Sequence, residues 1–168
     1  MNPVTDAGPP TDTPSTASPP QWLTDTERDA WMNLAQLLML LPTALDQQLR
    51  EDAGLPHAYY QILVALSSQP QRAIRMSQLA RLSGTTPTRL SHAVASLEQR
   101  GWVTRQPCPE DKRGQVAHLT DAGMAVLRAA APGHVAEVRH LVFDHLTDDD
   151  VTRLRDITAK LLPTLTRP

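Results

Sequence analysis

The chain has 168 residues and a formal net charge of −2 at pH 7, which allows one domain with a substantial core and gives no overall reason to expect a polyanionic partner. Its one cysteine, Cys108, excludes an intramolecular disulfide and a cysteine-based zinc cage, and the six histidines lack the spacing of a metal site. No apolar run is long enough to span a bilayer and no signal peptide is recognisable, so we expect a cytoplasmic protein with no metal, no cofactor and no membrane partner.

The first 22 residues differ in composition from the rest of the chain. Six prolines and many Ser and Thr residues leave almost nothing apolar to bury, so we predict a disordered tail over 1–22. Thr24 and Glu27 then have the spacing of a capping box, which predicts a helix start. An apolar stripe follows at helical intervals: Trp31, Leu34, Ala35, Leu38, Leu41, Leu45 and Leu49. Pro42 interrupts this stripe and predicts a kink or a break near Leu41.

Three more helices are predicted in close succession. The second begins at about His57, and the third begins with Ser77 as its cap, after a short strand over 74–76. Only three or four residues around Gly84 separate the third helix from the fourth. This tight connection is typical of a helix-turn-helix.

The fourth helix has two different faces. Thr86 is a good N-cap and Pro87 suits the first helical position, where its missing N–H costs nothing. One face is apolar, with Leu90, Ala93, Val94 and Leu97. The other is short, polar and free of acids; it has Thr88, His92, Ala95, Ser96 and Gln99, with Arg89 and Ser91 on its flanks. Such a face fits a DNA major groove, and an ordinary solvated helix face is the alternative interpretation.

A β-hairpin is predicted after the fourth helix. Residues 102–106 and 116–119 have strand character, and the charged loop over 107–114 contains Pro and Gly. Helices followed by a hairpin predict a winged helix-turn-helix over 57–119, which we call the reading module.

The C-terminal part of the chain is also helical and apolar. Thr120 and Thr147 are predicted to cap two helices, the first with a bend or break at Pro132–Gly133. Apolar stripes at both chain ends exceed what a small winged-helix core needs, so we expect a homodimer. The predicted fold is therefore mainly α with a small β-hairpin wing, in which 23–168 form a single domain and 24–56 and 120–168 form the dimerisation region.

Charge divides the chain in the same way. Residues 72–118 contain eight Lys and Arg against three acids, a formal charge of +5, whereas all other residues together carry −7. A basic stretch within an acidic chain is the pattern expected of a DNA-contacting surface.

Five fragments occur in order along the chain: Ser77-Gln78-Leu79-Ala80, Thr88-Arg89-Leu90, the run over 97–105, Glu110-Asp111-Lys112-Arg113 and the run over 119–123. In their order and spacing they resemble the MarR family of bacterial transcription regulators. The resemblance implies a dimer whose two reading modules grip a palindromic operator, with the fourth helices in major grooves and the wing tips in the flanking minor groove. Lys112 stands where the family usually has Arg, which leaves Arg113 as the stronger candidate in the wing.

Two sets of candidate binding residues follow. For double-stranded DNA they are Thr86, Pro87, Thr88, Arg89, Ser91, His92, Arg75, Lys112 and Arg113. Because the family commonly binds small aromatic or anionic effectors, the resemblance also implies a pocket, for which the candidates are Trp31, Met39, His57 and Tyr60. The alternative is that Arg75 is only solvated and that the four pocket candidates are ordinary core.

The functional prediction is a sequence-specific DNA-binding transcription regulator, a homodimeric repressor that a small-molecule effector releases from its operator. A winged-helix adaptor that binds protein through the same module is the alternative. Neither a phosphate loop nor a catalytic constellation is recognisable, so we expect no enzyme and no catalytic residues. A redox role for Cys108 is disfavoured by its place in the wing and by the acidic neighbour Glu110.

Overall fold

The computed structural model describes residues 21–108 and 111–165, with the side chains of Lys112 and Arg113 excepted. Of the tail predicted over 1–22, only residues 21 and 22 lie in this described part. The elements in chain order are α1 (Asp25–Ala53), α2 (His57–Ser67), a 3₁₀ turn (Pro70–Arg72), β1 (Ala73–Arg75), α3 (Met76–Leu82), α4 (Pro87–Gln99), β2 (Val103–Cys108), β3 (Asp111–Leu119), α5 (Asp121–Leu141), a second 3₁₀ turn (Phe143–His145) and α6 (Asp148–Leu165).

Side-chain caps begin several helices where the sequence predicts them. At α1 the backbone N–H of Thr24 donates to Glu27 Oε2 (2.8 Å) and the N–H of Glu27 donates to Thr24 Oγ1 (3.3 Å). Thr147 and Asp150 repeat this exchange at α6, at 3.1 and 3.3 Å. The hydrogen bonds with these threonines lower the pKa of both carboxylates. Each capping pair therefore satisfies N–H groups that a helix start would leave without partners.

Two prolines, for which the sequence predicts a kink or break (Pro42) and a bend or break (Pro132), do not break their helices. Both α1 and α5 run continuously through Pro42 and Pro132. A proline removes one intrahelical hydrogen bond, whereas the turns on both sides keep theirs. Near Pro42 the Thr43 hydroxyl also donates to the carbonyl oxygen of Met39, at 3.3 Å. The local cost is therefore confined to one turn of a helix that is stabilised along its length.

Two further boundaries differ from prediction. The third helix begins at Met76 with Arg75 at its N-cap and no side-chain cap, because the chain passes from β1 directly into α3. Ser77 is therefore not the cap. Strand pairing also extends into the loop predicted over 107–114, where Cys108 pairs with Asp111 across an irregularity after Pro107. That irregularity lets the sheet accept a proline, which cannot donate to the ladder.

The three strands form an antiparallel sheet in the order β1-β3-β2. Ile74 lies opposite Ala117, and Val103 lies opposite Leu119. This sheet packs with α2, α3 and α4 around a core whose fully buried side chains include Leu63, Leu66, Leu79, Leu90, Val94 and Leu97. Each such leucine contributes about 2 kcal/mol by leaving water. The mainly α fold with a small β wing is confirmed.

The chain divides by its packing between Ala35 and Gln36, within α1. In the first unit, the described apolar side chains Trp31, Met32 and Leu34 are exposed. In the second unit, Leu45 and Leu49 of α1 are buried, and α5 contributes Leu127 and Ala130 to the core.

Gly123 allows α5 to begin directly beside the end of α4. A Cβ at this position would clash with the carbonyl oxygen of Trp102 and with the Leu119 side chain. That carbonyl accepts the N–H of Thr120 (3.0 Å), while the Thr120 hydroxyl donates to the Gly101 carbonyl (2.8 Å). The close approach therefore connects the wing, α4 and α5 through backbone groups that cannot easily move apart.

We expect Gly123→Ala to lower the free energy of unfolding by about 1–3 kcal/mol, because overpacking against backbone cannot relax by side-chain rotation. Thermal and urea denaturation measure this change. Gly133→Ala is the matched control, since its Cβ would meet only ordinary contacts at 3.4 Å. It should gain about 0.5–1 kcal/mol from helix propensity. Equal stability of Gly123→Ala and the unsubstituted protein would contradict this account.

Candidate nucleic-acid interface

The turn between α3 and α4 sets the direction of α4. Gly84 has a φ of +56°, a left-handed conformation that glycine adopts without strain. The N–H groups of Gly84 and Thr85 donate to the carbonyls of Arg81 (3.2 Å) and Ala80 (3.1 Å), which ends α3. Thr86 then caps α4 by accepting the N–H of Arg89 at 3.3 Å, with Pro87 in the first turn as predicted.

The two faces of α4 differ as sharply as the sequence indicates. Leu90, Val94 and Leu97 are buried against the core. The opposite face is exposed through its first two turns, where the candidates Thr88, Arg89, Ser91 and His92 lie. Glu98 is the one acid in α4, and it lies in the last turn. The N-terminal half of α4 therefore offers hydroxyl, imidazole and guanidinium groups to a ligand without a competing carboxylate.

Glu98 links α4 to the wing. Its carboxylate accepts the backbone N–H of Arg105 at 2.9 Å and the Nε of the same residue at 2.8 Å. Both side chains are mostly buried, at 28% and 23% exposure, so the pair is less screened than a surface ion pair. Beside it, the Arg100 guanidinium lies over the rings of Trp102 (4.9 Å) and Tyr59 (5.8 Å).

Some of the basic side chains of the reading module form ion pairs with acids of the same chain. Arg105 pairs with Glu98, and Arg72 pairs with Asp121 at 2.9 Å. Arg81 and Arg89 are exposed. The count of eight Lys and Arg residues over 72–118 therefore overstates the number of cations that the reading module presents to a partner.

A cleft of about 420 Å³ lies where α3, α4 and the wing meet, and we call it the α4–wing cleft. Its lining residues are Arg75, Met76, Ser77, Pro87, Ser91, Asp111, Gly114 and Gln115. It brings three DNA candidates together: Arg75, Pro87 and Ser91. Ser77 and Gln115 were not predicted as site residues. The pairing of Arg75 with Val116 places Gln115 here, and sequence periodicity does not reveal that register.

The two wing candidates are less fully described. The backbone of Lys112 and Arg113 lies in β3, directly after Asp111, while their side chains and residues 109 and 110 lie outside the described part of the chain.

Cys108 is buried at the end of β2. Burial removes its thiol from oxidants and so disfavours the redox interpretation further.

A second, larger cavity of about 1030 Å³ lies between α2 and α5, and we call it the α2–α5 cavity. It is lined mainly by apolar groups together with His57, Tyr60, Gln61, Ser83 and His134; its apolar members include Leu38, Val64, Leu82 and Leu162. Of the four effector candidates, His57 and Tyr60 line it. Trp31 and Met39 are exposed on α1, at 55% and 75%.

Burial affects the titratable groups of this cavity. It lowers the pKa of His57, which Asp46 partly opposes. Burial also lowers the pKa of His134, and the charge of His57 lowers it further. Burial raises the pKa of the Tyr60 hydroxyl. His134 was not predicted as a site residue, because it lies 77 positions from His57 and only the packing of α5 on α2 brings them together.

Other kinds of site find no support in the described residues. Within residues 21–108 and 111–165, no three His, Cys, Asp or Glu side chains are grouped so that they could hold a metal ion. Nor does any described helix combine the length and the hydropathy that crossing a bilayer requires.

Comparison with known proteins identifies relatives of the whole fold. A model of the MarR family matches residues 53–114. The crystal structure of Sco3205, a MarR family transcriptional regulator from Streptomyces coelicolor in complex with DNA, is 49% identical, covers 89% of this chain and 93% of its own, and superposes with a TM-score of 0.82. AbsC, a MarR family transcriptional regulator from the same organism, is 37% identical over 87% of this chain and 98% of its own, with a TM-score of 0.80.

A curated relative matches over a shorter range. The transcriptional repressor MprA of Escherichia coli is 30% identical over 112 residues, which are 67% of this chain and 63% of MprA. The match therefore spans less than two thirds of that relative. With two structures matched over nearly their whole length, a winged helix-turn-helix and an exposed, acid-free half of α4, this chain belongs to the MarR family of transcriptional regulators.

Proposed function

We propose that this protein is a homodimeric, sequence-specific regulator that binds palindromic double-stranded DNA, acts in the cytoplasm and represses transcription. The observation that carries the proposal is the exposed N-terminal half of α4, which presents Thr88, Arg89, Ser91 and His92 on a helix whose other face is buried. Such a helix can enter a major groove without moving relative to its core. The chain would act by binding rather than by catalysis.

Each part of the reading module has a separate role in this proposal. The first turn of α4, with Thr86 and Pro87, would approach the backbone while the next turn reads base edges. Arg75 in the α4–wing cleft would hold a phosphate beside it. Lys112 and Arg113 are assigned to the flanking minor groove on their sequence position alone. The DNA in the Sco3205 structure supports DNA as the ligand class.

The dimer is proposed from exposed apolar side chains at both ends of the chain. On α6, Ile157, Leu162 and Leu165 are 54%, 59% and 79% exposed, and α1 exposes Leu37, Leu38 and Leu40. So many exposed large apolar side chains on two helices are uncommon on a monomer. A second copy of the chain would cover it through the regions 24–56 and 120–168, and would place two reading modules on one duplex.

The α2–α5 cavity is the proposed effector site. It is large enough for a small aromatic or anionic molecule, and it lies between the reading module and the proposed dimerisation region. A ligand that prefers one spacing of the two modules would shift the dimer toward or away from its DNA-binding arrangement.

Removing the exposed guanidinium of Arg89 tests DNA binding directly. We expect Arg89→Ala to weaken binding by about 1–3 kcal/mol and to reduce the salt dependence by about one counterion if the contact is to phosphate. Fluorescence anisotropy on duplex DNA at several salt concentrations measures both quantities. Arg128→Ala removes the same charge from α5, outside the reading module. It should leave the DNA affinity and its salt dependence nearly unchanged.

Equal effects of Arg89→Ala and Arg128→Ala would remove α4 from the contact surface. If the unsubstituted protein failed to bind any duplex at low salt, the proposed function would be wrong, and an adaptor that binds protein through the same module would become the better interpretation.

A charge on the apolar face of α6 tests the dimer. We expect Ile157→Asp to shift the protein toward monomer, because Ile157 is already exposed in the single chain and a carboxylate there is costly only if a partner covers it. Size-exclusion chromatography with light scattering gives the mass. Ala159→Asp adds the same charge about half a turn away, and it should leave the dimer intact. A monomeric unsubstituted protein, or equal dissociation of both variants, would contradict the proposal.

A further inference from the structure

Two histidines from different parts of the fold lie side by side in the α2–α5 cavity. His57 is the first residue of α2, in the reading module, and His134 lies on α5. Their ring centroids are 5.6 Å apart, and the ring of Tyr60 lies 4.4 Å from that of His134. The three rings thus form a contact between the helix that begins the reading module and the helix that leaves it.

Among the described residues, few charged groups lie near the two histidine rings, and those that do come from α1. From α1, Asp46 accepts the backbone N–H of His57 at 2.9 Å, but the same carboxylate is paired with Arg50. Also from α1, Gln48 and Asp52 lie near Gly133, next to His134. From α2, the side-chain nitrogen of Gln61 lies 3.3 Å from His57 Nε2.

The other walls of the cavity supply no compensating charge. The end of α3 contributes Leu82 and Ser83, and α6 contributes Leu162; among the described residues, neither Asp nor Glu lines the cavity. His134 Nδ1 is buried and has no hydrogen-bond partner among the described residues, and the same is true of Ser83 Oγ. A proton on His134 would therefore have little to stabilise it.

We propose that the neutral His57–His134 pair holds α2 against α5, and that protonation of the pair loosens this contact and weakens DNA binding. The inference deepens the proposed function and rests on it for the DNA-binding part. Two protonated rings at this separation repel each other, and because both are partly buried they regain full hydration only by moving apart.

The direction of the pH dependence follows from burial. Because burial lowers the pKa of both histidines, the packed arrangement binds fewer protons than one in which the rings are hydrated. The contact is therefore fully stable above the ordinary histidine pKa of about 6.5 and is lost as the pH falls through the lowered values. A pH drop from 7.5 to 5.5 spans the beginning of this loss.

Histidine titration by NMR tests the contact on the full chain without DNA. We expect the ring signals of His57 and His134 to titrate below pH 6.5, and His57→Gln to raise the pKa of His134 because the neighbouring charge is gone. His134→Gln should raise that of His57 in the same way. Titration of both histidines at or above 6.5, or no response of either to loss of the other, would overturn the inference.

The DNA-binding arm compares affinities for one duplex at pH 7.5 and 5.5 and fixed salt. The measured quantity is the affinity of the unsubstituted protein divided by that of the variant with both His57→Gln and His134→Gln. We expect this ratio to fall by about 5-fold or more between pH 7.5 and pH 5.5. The matched control carries His140→Gln and His145→Gln, a second pair of rings 6.5 Å apart near the end of α5. It should follow the unsubstituted protein. His92 on α4 is present in every variant, so its contribution to DNA binding cancels from the ratios.

Parallel pH dependences of the unsubstituted protein and the His57/His134 variant would overturn the regulatory part of the inference. If no variant bound duplex DNA at either pH, the proposed function would fail, whereas the NMR titration would still decide whether the pair is a proton-sensitive contact.

Discussion

The structure depends on the burial of one face of α4. Leu90, Val94 and Leu97 are almost fully inaccessible, and they pack into the core formed by α2, α3 and the sheet. Because a close-packed core resists displacement, α4 cannot rotate without exposing these side chains. The polar face that carries Arg89 and His92 is therefore held in one direction by apolar contacts that never touch a ligand.

The wing and the following helix take their positions from this same element. Glu98, in the last turn of α4, accepts hydrogen bonds from the backbone and side chain of Arg105 in β2. The Trp102 carbonyl accepts the N–H of Thr120 next to Gly123, where α5 begins. In the proposed regulation, movement of α5 against α2 would therefore reach α4 and the wing together.

Local rules predicted much of this fold from the sequence, and long-range packing accounts for what they missed. Thr24, Thr86, Thr120 and Thr147 were predicted as caps because a cap depends on residues within one turn. Of the kink or break predicted at Pro42 and the bend or break predicted at Pro132, the breaks do not occur, because stability along a whole helix outweighs one lost hydrogen bond. Ser77 was wrong as a cap because β1 leads straight into α3. Gln115 and His134 were missed because strand register and helix packing bring them to their sites.

In the proposed function, two copies of α4 read one palindromic duplex. Selection of bound duplexes from a random pool tests this arrangement without assuming an operator. We expect two enriched inverted half-sites whose centres lie about one helical turn, ~10 base pairs, apart. Enrichment of a single half-site without symmetry would contradict the dimer, and no enrichment at low salt would contradict sequence-specific DNA binding itself.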